Sequence, residues 1–300
     1  MDEVLHDHDR GLGFDLSTLM ARRRLLTLFG GIGLAAVAAS CGSSSKSSDT
    51  TSRAAGSAST LATDTTAAGA AGSTTSAVAA SSTTAAPTPG ADLEAIPEET
   101  AGPYPADGSN GVNVLTESGI VRRDIRSSFG SSTTTADGVP ATISLRLVEA
   151  DGGAPLPGAA VYLWHCDAAG LYSMYSRGAT DENYLRGVQE ADSNGVVTFT
   201  SIYPACYAGR WPHMHYEVYP TLADATSASN RLATSQLALT EEASAAVYAS
   251  DLYAQSSQKM SQVSLTTDNV FSDGAELETP TITGSVADGY TIAMTAAIST

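Results

Sequence analysis

Residues 42–91 are built almost entirely from Ser, Thr, Ala and Gly and hold no aromatic side chain. Such a stretch cannot bury enough apolar surface to offset the entropy of ordering its backbone. It reads as a flexible tether. Every tyrosine and both tryptophans lie beyond it. A cooperative core must therefore be built within about 92–300, and the 42% hydrophobic content of the chain makes a sizeable core available.

The segment before the tether, residues 1–41, reads as an address. Arg22-Arg23-Arg24-Leu25-Leu26-Thr27 is followed by an apolar run to Ala39. This is a charged region and a hydrophobic region of signal-peptide length, too short for a comfortable membrane span. The Arg-Arg-x-Leu-Leu pattern resembles a twin-arginine export signal. Ala38-Ala39-Ser40-Cys41 then sets small residues before a cysteine, as in a bacterial lipoprotein cleavage site, with Ala38 where leucine is usual. The expectation is an exported protein, either a cell-surface lipoprotein lipidated at Cys41 or a secreted one. The rival is a short anchoring helix that stays uncleaved. His6 and His8 precede the signal and cannot act in an exported product.

Charge and cysteine content narrow the partners. The formal net charge is −17, with Lys46 and Lys259 the only lysines. That balance argues against DNA and RNA, whose phosphates need a basic surface, and against docking on anionic lipid by charge alone; the membrane contact expected of the exported protein is a lipid on Cys41. Setting Cys41 aside, Cys166 and Cys206 remain. In an oxidising compartment they could form one disulfide; the alternative is two buried thiols acting as small hydrophobes.

Within 92–300 the pattern is that of short strands. Ile143, Leu145 and Leu147 alternate along 141–148, which predicts a half-buried strand. Further strands are predicted at 160–164, 196–202, 213–219 and 236–239, with more short β segments from Val263 onward. Asp151-Gly152-Gly153, Pro157-Gly158 and Asp192-Ser193-Asn194-Gly195 supply the turns. One helix is predicted over 240–253, with Thr240 as its cap and Glu241 and Glu242 in its first turn. The expected fold is an all-β sandwich of mostly antiparallel strands with one short helix.

Chemistry concentrates around His213-Met214-His215. Residues two apart on a strand share a face, so both imidazoles can converge on one ion. Alone, His-x-His is a weak signal. Tyr207 stands six residues earlier, in Tyr203-Pro204-Ala205-Cys206-Tyr207-Ala208-Gly209-Arg210-Trp211-Pro212-His213, where Gly209 and Pro212 shape a short connection. A second tyrosine, Tyr172, closes the segment Trp164-His165-Cys166-Asp167-Ala168-Ala169-Gly170-Leu171-Tyr172.

In these segments the sequence resembles the intradiol ring-cleavage dioxygenases. The run from Gly187 to His215 is similar to the family's signature region and 164–172 to the other half of its site. Glu99-Thr100-Ala101-Gly102-Pro103-Tyr104 is similar to its N-terminal motif. The resemblance spans about 97–253. It implies Tyr172, Tyr207, His213 and His215 as ligands of one Fe(III) per chain. It implies Arg210 as a catalytic arginine, Gln236 as its neighbour, and Pro103 and Tyr104 as walls of the substrate pocket. The implied substrates are a catechol-type aromatic diol and O₂. In the family, the tyrosine matching Tyr207 leaves the metal and takes a substrate proton. His165 matches no ligand and reads as structural. The sequence departs from cytoplasmic members in carrying a tether where they have a long helical N-terminal region, which leaves the oligomeric state open.

Donor chemistry agrees with this reading. A free phenol ionises near pH 10 and becomes a ligand only beside a strong Lewis acid. Two phenolate oxygens favour Fe(III) over Fe(II) or Zn(II). Two other readings stand beside the enzyme. One is a non-enzymatic exported sandwich used as a binding module, with or without metal. The other is a zinc hydrolase built on His-x-His, which leaves both tyrosines unexplained. Arg210 as an ion-pair residue, Gln236 as an ordinary strand residue and Tyr172 as a core tyrosine are the corresponding bland assignments.

Overall fold

The alternation along 141–148 sets the first layer. In a computed structural model, which describes residues 90–300, strand β1 runs Pro140–Glu149. Ile143, Leu145 and Leu147 are fully buried, while Thr142, Ser144 and Arg146 between them are only partly so. The export segment, Cys41, His6, His8 and nearly all of the tether lie outside the described residues. At the described start, the amide of Gly90 already donates to Gly152 O and that of Leu93 to Ala150 O.

The remaining strands are β2 (Ala160–Trp164), β3 (Arg186–Glu190), β4 (Val196–Ile202), β5 (His213–Tyr219), β6 (Ala233–Ala238), β7 (Thr281–Ser285) and β8 (Gly289–Ile298). They form two four-stranded sheets, ordered β4-β1-β8-β7 and β3-β2-β5-β6. Every named pair is antiparallel except β1 with β8, which run parallel. The sheets meet over one apolar core. Ile143, Leu145, Phe199 and Ile292 enter it from the first sheet, and Leu163, Met214, Tyr216 and Val218 from the second. The segment 121–125 stitches the neighbouring edges together. Val121 bridges Val188 on β3, Asp124 bridges Thr200 on β4, and Ile125 exchanges backbone bonds with Leu185 and Thr200.

The expected sandwich is present, with local differences. Two short helices form, α1 (Glu241–Tyr248) and α2 (Ser256–Met260), rather than one long helix. The predicted helix breaks after Tyr248 and resumes as a single 3-10 turn, Asp251–Tyr253, capped by Ser250. Thr240 holds the cap position of α1 without a side-chain cap bond. The first part of the tail, 263–280, is turns rather than β structure. Strand β3 was not anticipated, and β6 begins three residues before the expected 236–239 segment. Among the described residues no helix is long and apolar enough to cross a membrane.

Strand β5 explains where the site lies. All seven of its residues are buried, although a strand with one face on a core should alternate. Met214, Tyr216 and Val218 face the core. His213, His215, Glu217 and Tyr219 face the other way, beneath loops that cover the outside of the second sheet.

Candidate metal centre

The register of the second sheet builds the floor of the site. Arg186 on β3 pairs with Trp164 on β2, Trp164 with His215 on β5, and His215 with Gln236 on β6. Directly paired residues share a face, so these four side chains form one row across the sheet, and all four are buried. Trp164 stacks flat on His215, with ring centroids 5.0 Å apart and planes at 5°. The indole thus fixes the tilt of one imidazole.

Two loops bring the tyrosines to this floor. After β4 the chain turns at Gly209, whose φ of +83° suits glycine, and carries Tyr207 and Arg210 back toward β5. Before β3, the Asp167 carboxylate accepts the amides of Ala169 and Leu171 and shapes the loop that delivers Tyr172. Ring centroids lie 5.8 Å apart for Tyr172 and Tyr207, 5.3 Å for Tyr207 and His213, 4.8 Å for His213 and His215, and 6.3 Å for Tyr172 and His215. The four side chains expected as ligands therefore close a ring of contacts around one point.

Their protonation follows from burial. His213 donates from Nδ1 to the carbonyl of Trp211, leaving Nε2 with its lone pair toward the site, where the Tyr207 hydroxyl donates to it at 2.9 Å. Burial first, and then the Arg210 charge, hold His213 well below the usual imidazole range. Burial, His213 and Arg210 do the same for His215. Burial and the neighbouring Tyr207 push the Tyr172 phenol well above 10. Burial alone thus favours the neutral form of both imidazoles and of the Tyr172 phenol, and a bound cation would favour the phenolate.

The donor set fits a ferric ion. Tyr172 Oη and His215 Nδ1 are buried without a hydrogen bond of good geometry, a costly state for a polar atom that a bound cation would relieve at the phenol. Among the described residues no three His, Cys, Asp or Glu side chains gather as a metal site. An ion held here must draw on the phenol oxygens, which are hard donors. A zinc site of the His₂-plus-carboxylate kind has no third member in this ring.

Arg210 lies at the edge of the ring, 3% exposed. Its Nη1 is 3.4 Å from His213 Nε2, its Nε donates to Asp268 at 3.0 Å, and its Nη2 donates to Gln236 Oε1 at 2.7 Å. Gln236 in turn donates to the carbonyl of Thr100 at 2.8 Å, tying the arginine to the N-terminal motif. Gln236 is thus a partner of Arg210 and not a bystander. Asp268 is fully buried and also accepts the amides of Trp211, Val270 and Phe271. Sequence reading passed over it, because a lone Asp in a turn-rich tail carries no signal.

The N-terminal motif forms the roof. The Tyr104 ring lies 5.0 Å from Tyr172 and 5.3 Å from Tyr175, and the Pro103 carbonyl accepts from Asn110 at 2.9 Å. Gly102 adopts φ +68°, and a Cβ there would stand 3.3 Å from His215 Cε1. Only glycine lets the roof come this close. A separate groove of about 600 Å³ lies behind Trp211, between α1, α2 and residues 263–266, and includes none of the four ring residues.

The disulfide expectation is corrected. Cys166 and Cys206 are separate buried thiols. Cys166 Sγ is directed at the Ala205 carbonyl and Cys206 Sγ at the Arg210 carbonyl, so each hydrogen has its own acceptor. His165 is structural: its ring nitrogens bond the Cys166 carbonyl and Ser201 Oγ, each at 2.8 Å.

With this geometry in view, comparison with known proteins gives a consistent result. The family model described as Dioxygenase matches residues 124–233, a span that contains Tyr172, Tyr207, Arg210, His213 and His215. The structure is similar to an intradiol ring-cleavage dioxygenase from Tetranychus urticae, with a TM-score of 0.53 and 25% identity, covering 69% of this chain and 95% of that one. Over residues 124–233 the sequence matches a dioxygenase family model, and the fold is similar to that of intradiol ring-cleavage dioxygenases. A second solved dioxygenase shares the fold, with a TM-score of 0.55 at 23% identity over 69% of this chain and 95% of the other. A catechol 1,2-dioxygenase of Pseudomonas sp. (strain EST1001) is 40% identical over 55 residues, which is 18% of either protein. The match therefore spans less than a fifth of that relative's length. Tyr104, Gln236 and Asp268 fall outside the matched residues, and of the three only Asp268 enters the site through the structure alone.

Proposed function

We propose that this protein is an exported, non-haem Fe(III) intradiol dioxygenase. It would open a 1,2-dihydroxybenzene between its two hydroxyl-bearing carbons and place both atoms of O₂ in the product. The observation that carries this reading is the closed ring of Tyr172, Tyr207, His213 and His215, with Arg210 held at its edge.

Those four residues would hold the ion. Fe(III) held there would supply a Lewis acid that makes a catechol ring carbon open to O₂. The protein's own groups do the rest. The Tyr207 hydroxyl donates to His213 Nε2; ionised to a phenolate as a ligand of the ion, Tyr207 would take a catechol proton at that same oxygen. Arg210 cannot act as a base, since a guanidinium stays charged; it offsets negative charge that develops on the ring. Asp268 and Gln236 keep it aimed. Tyr104 and Pro103 wall the substrate and, with the rest of the roof, keep water out of a buried centre.

The test is direct. The purified chain, loaded with iron, is titrated without oxygen against a panel of catechols and then exposed to O₂. The expected results are about one iron per chain, a broad visible phenolate-to-iron band, a shift of that band on catechol binding, and O₂ uptake with an acyclic dicarboxylic acid as product. A colourless iron-loaded protein would remove the phenolate centre. A coloured protein inert toward every catechol would leave a metal-binding module.

A further inference from the structure

Arg186 is the feature of the molecule that the mechanism above leaves unused. It is 1% exposed, and no carboxylate among the described residues lies within ion-pair distance of it. A buried charge is costly unless its hydrogen-bonding capacity is met. Here it is met in full, since the five N–H donors of a guanidinium are all used. Nε donates to Ser173 Oγ at 3.0 Å. Nη1 donates to the Pro105 carbonyl and to Tyr162 Oη, each at 3.0 Å. Nη2 donates to the carbonyls of Tyr104 and Ser173, each at 2.9 Å. The Tyr175 ring lies 5.5 Å from the guanidinium carbon.

The acceptors are informative. Tyr104 and Pro105 belong to the roof. Ser173 is the residue after Tyr172. Tyr162 stacks at 4.8 Å on Trp164, which stacks on His215. One planar group thus joins the pocket wall, one tyrosine of the ring and the support of one histidine, which come from three separate parts of the chain. Lysine cannot replace it, because a point charge with three donors lacks the fixed fork.

We infer that Arg186 is a positioning residue: its guanidinium sets where Tyr172 and Tyr104 stand relative to the floor of the site, without touching substrate or metal. The spectroscopic part of this inference rests on the proposed iron centre. The experiment compares Arg186→Lys, Arg186→Met and Ser173→Ala in the full chain. Each is followed by far-UV and near-UV circular dichroism without metal, by the visible band after iron loading, and by steady-state kinetics with catechol.

In both Arg186 variants the far-UV spectrum is expected to be retained and the near-UV tyrosine and tryptophan signal altered. The visible band should shift, and turnover should fall on the order of 10²-fold, the scale of a misplacement of about 1 Å. Lys should behave like Met rather than like Arg. Ser173→Ala should move the band in the same direction by less. An Arg186→Lys variant with native band and turnover would overturn the inference, because charge alone would then suffice. Should both Arg186 variants misfold, Ser173→Ala decides, and an unchanged band there also overturns it. Wild-type protein that stays colourless with iron would defeat the iron reading instead. Arg186 would then be judged on the metal-free near-UV spectra, where no difference between wild type and a folded variant counts against it.

Discussion

Arg210 carries a charge that no ligand role requires, so its removal separates binding of the ion from chemistry. Arg210→Ala is expected to keep the iron and its colour while turnover falls by a factor on the order of 10²–10³, the loss seen when one preorganised donor is deleted. Iron content and kcat measured on the same sample check this. Asp268→Ala should act differently. It strips the buried arginine of its counterion and leaves the Trp211, Val270 and Phe271 amides without their acceptor. Breaking a buried pair of this kind costs about 3–5 kcal/mol, readable as a lower denaturant midpoint. The thiols give a third outcome. Burial drives the Cys206 thiol up to about 12 and Cys166 higher still. Alkylation mapped by mass spectrometry should therefore spare both at pH 8 in folded protein and label both after unfolding. At this scale the sequence exposed what local spacing encodes: the two histidines on one strand face and the tyrosine and arginine on the short connection before them. It did not expose Asp268, 58 residues from its arginine, or Arg186, whose acceptors lie up to 82 residues away. Such partners are fixed by register and loop path, which no short window contains.

The elements divide the work between floor and roof. Gly102→Ala tests the roof. A left-handed φ costs a non-glycine residue about 1–2 kcal/mol, and the added methyl presses on His215. The variant should be less stable by about that amount and its visible band displaced, both measured on one preparation. Glu278 tests the packing beneath β6. It is fully buried, with Ser235 Oγ at 3.4 Å and the negative charges of Glu99 and Asp273 as its electrostatic neighbours. Burial, then Glu99, raises its carboxyl to about 8. A folded pKa above the unfolded value means that the native state holds the extra proton between about pH 4.5 and 8. Its contribution to stability is therefore present below that window and lost as pH rises through it. Glu278→Gln should raise the denaturant midpoint at pH 8 and change it little at pH 5. Strands with apolar alternation, β1, β4 and β5, were legible. Strand β3 was not, because Arg186-Gly187-Val188-Gln189-Glu190 buries its arginine and ends on polar residues. The helix read as one piece because its apolar pattern continues past Tyr248, while Ser250 caps a new turn instead.

For the whole molecule, the sandwich followed from strand length, turn spacing and the placement of every tyrosine and both tryptophans beyond the tether. The pairing of β1 with β8 did not, since parallel partners far apart in sequence leave no local trace. The proposed export rests on the sequence of residues 22–41. Replacing both Arg22 and Arg23 by Lys should retain the protein in the cytoplasm, folded and coloured, as cell fractionation followed by absorption would reveal; unchanged export would sink the twin-arginine reading. The wholly buried strand β5 has a consequence for how such a protein can change over time. Its two faces serve different masters: Met214 and Tyr216 lock the sheets together, while His213 and His215 address the site. Closely packed interiors transmit strain, so an adjustment made for packing is felt at the imidazoles two to three atoms away along the backbone. New substrate preferences can therefore be acquired cheaply only in the roof, where loops tolerate variation, and selection experiments for altered catechols should accumulate their changes around Pro103 and Tyr104 while β5 stays as it is.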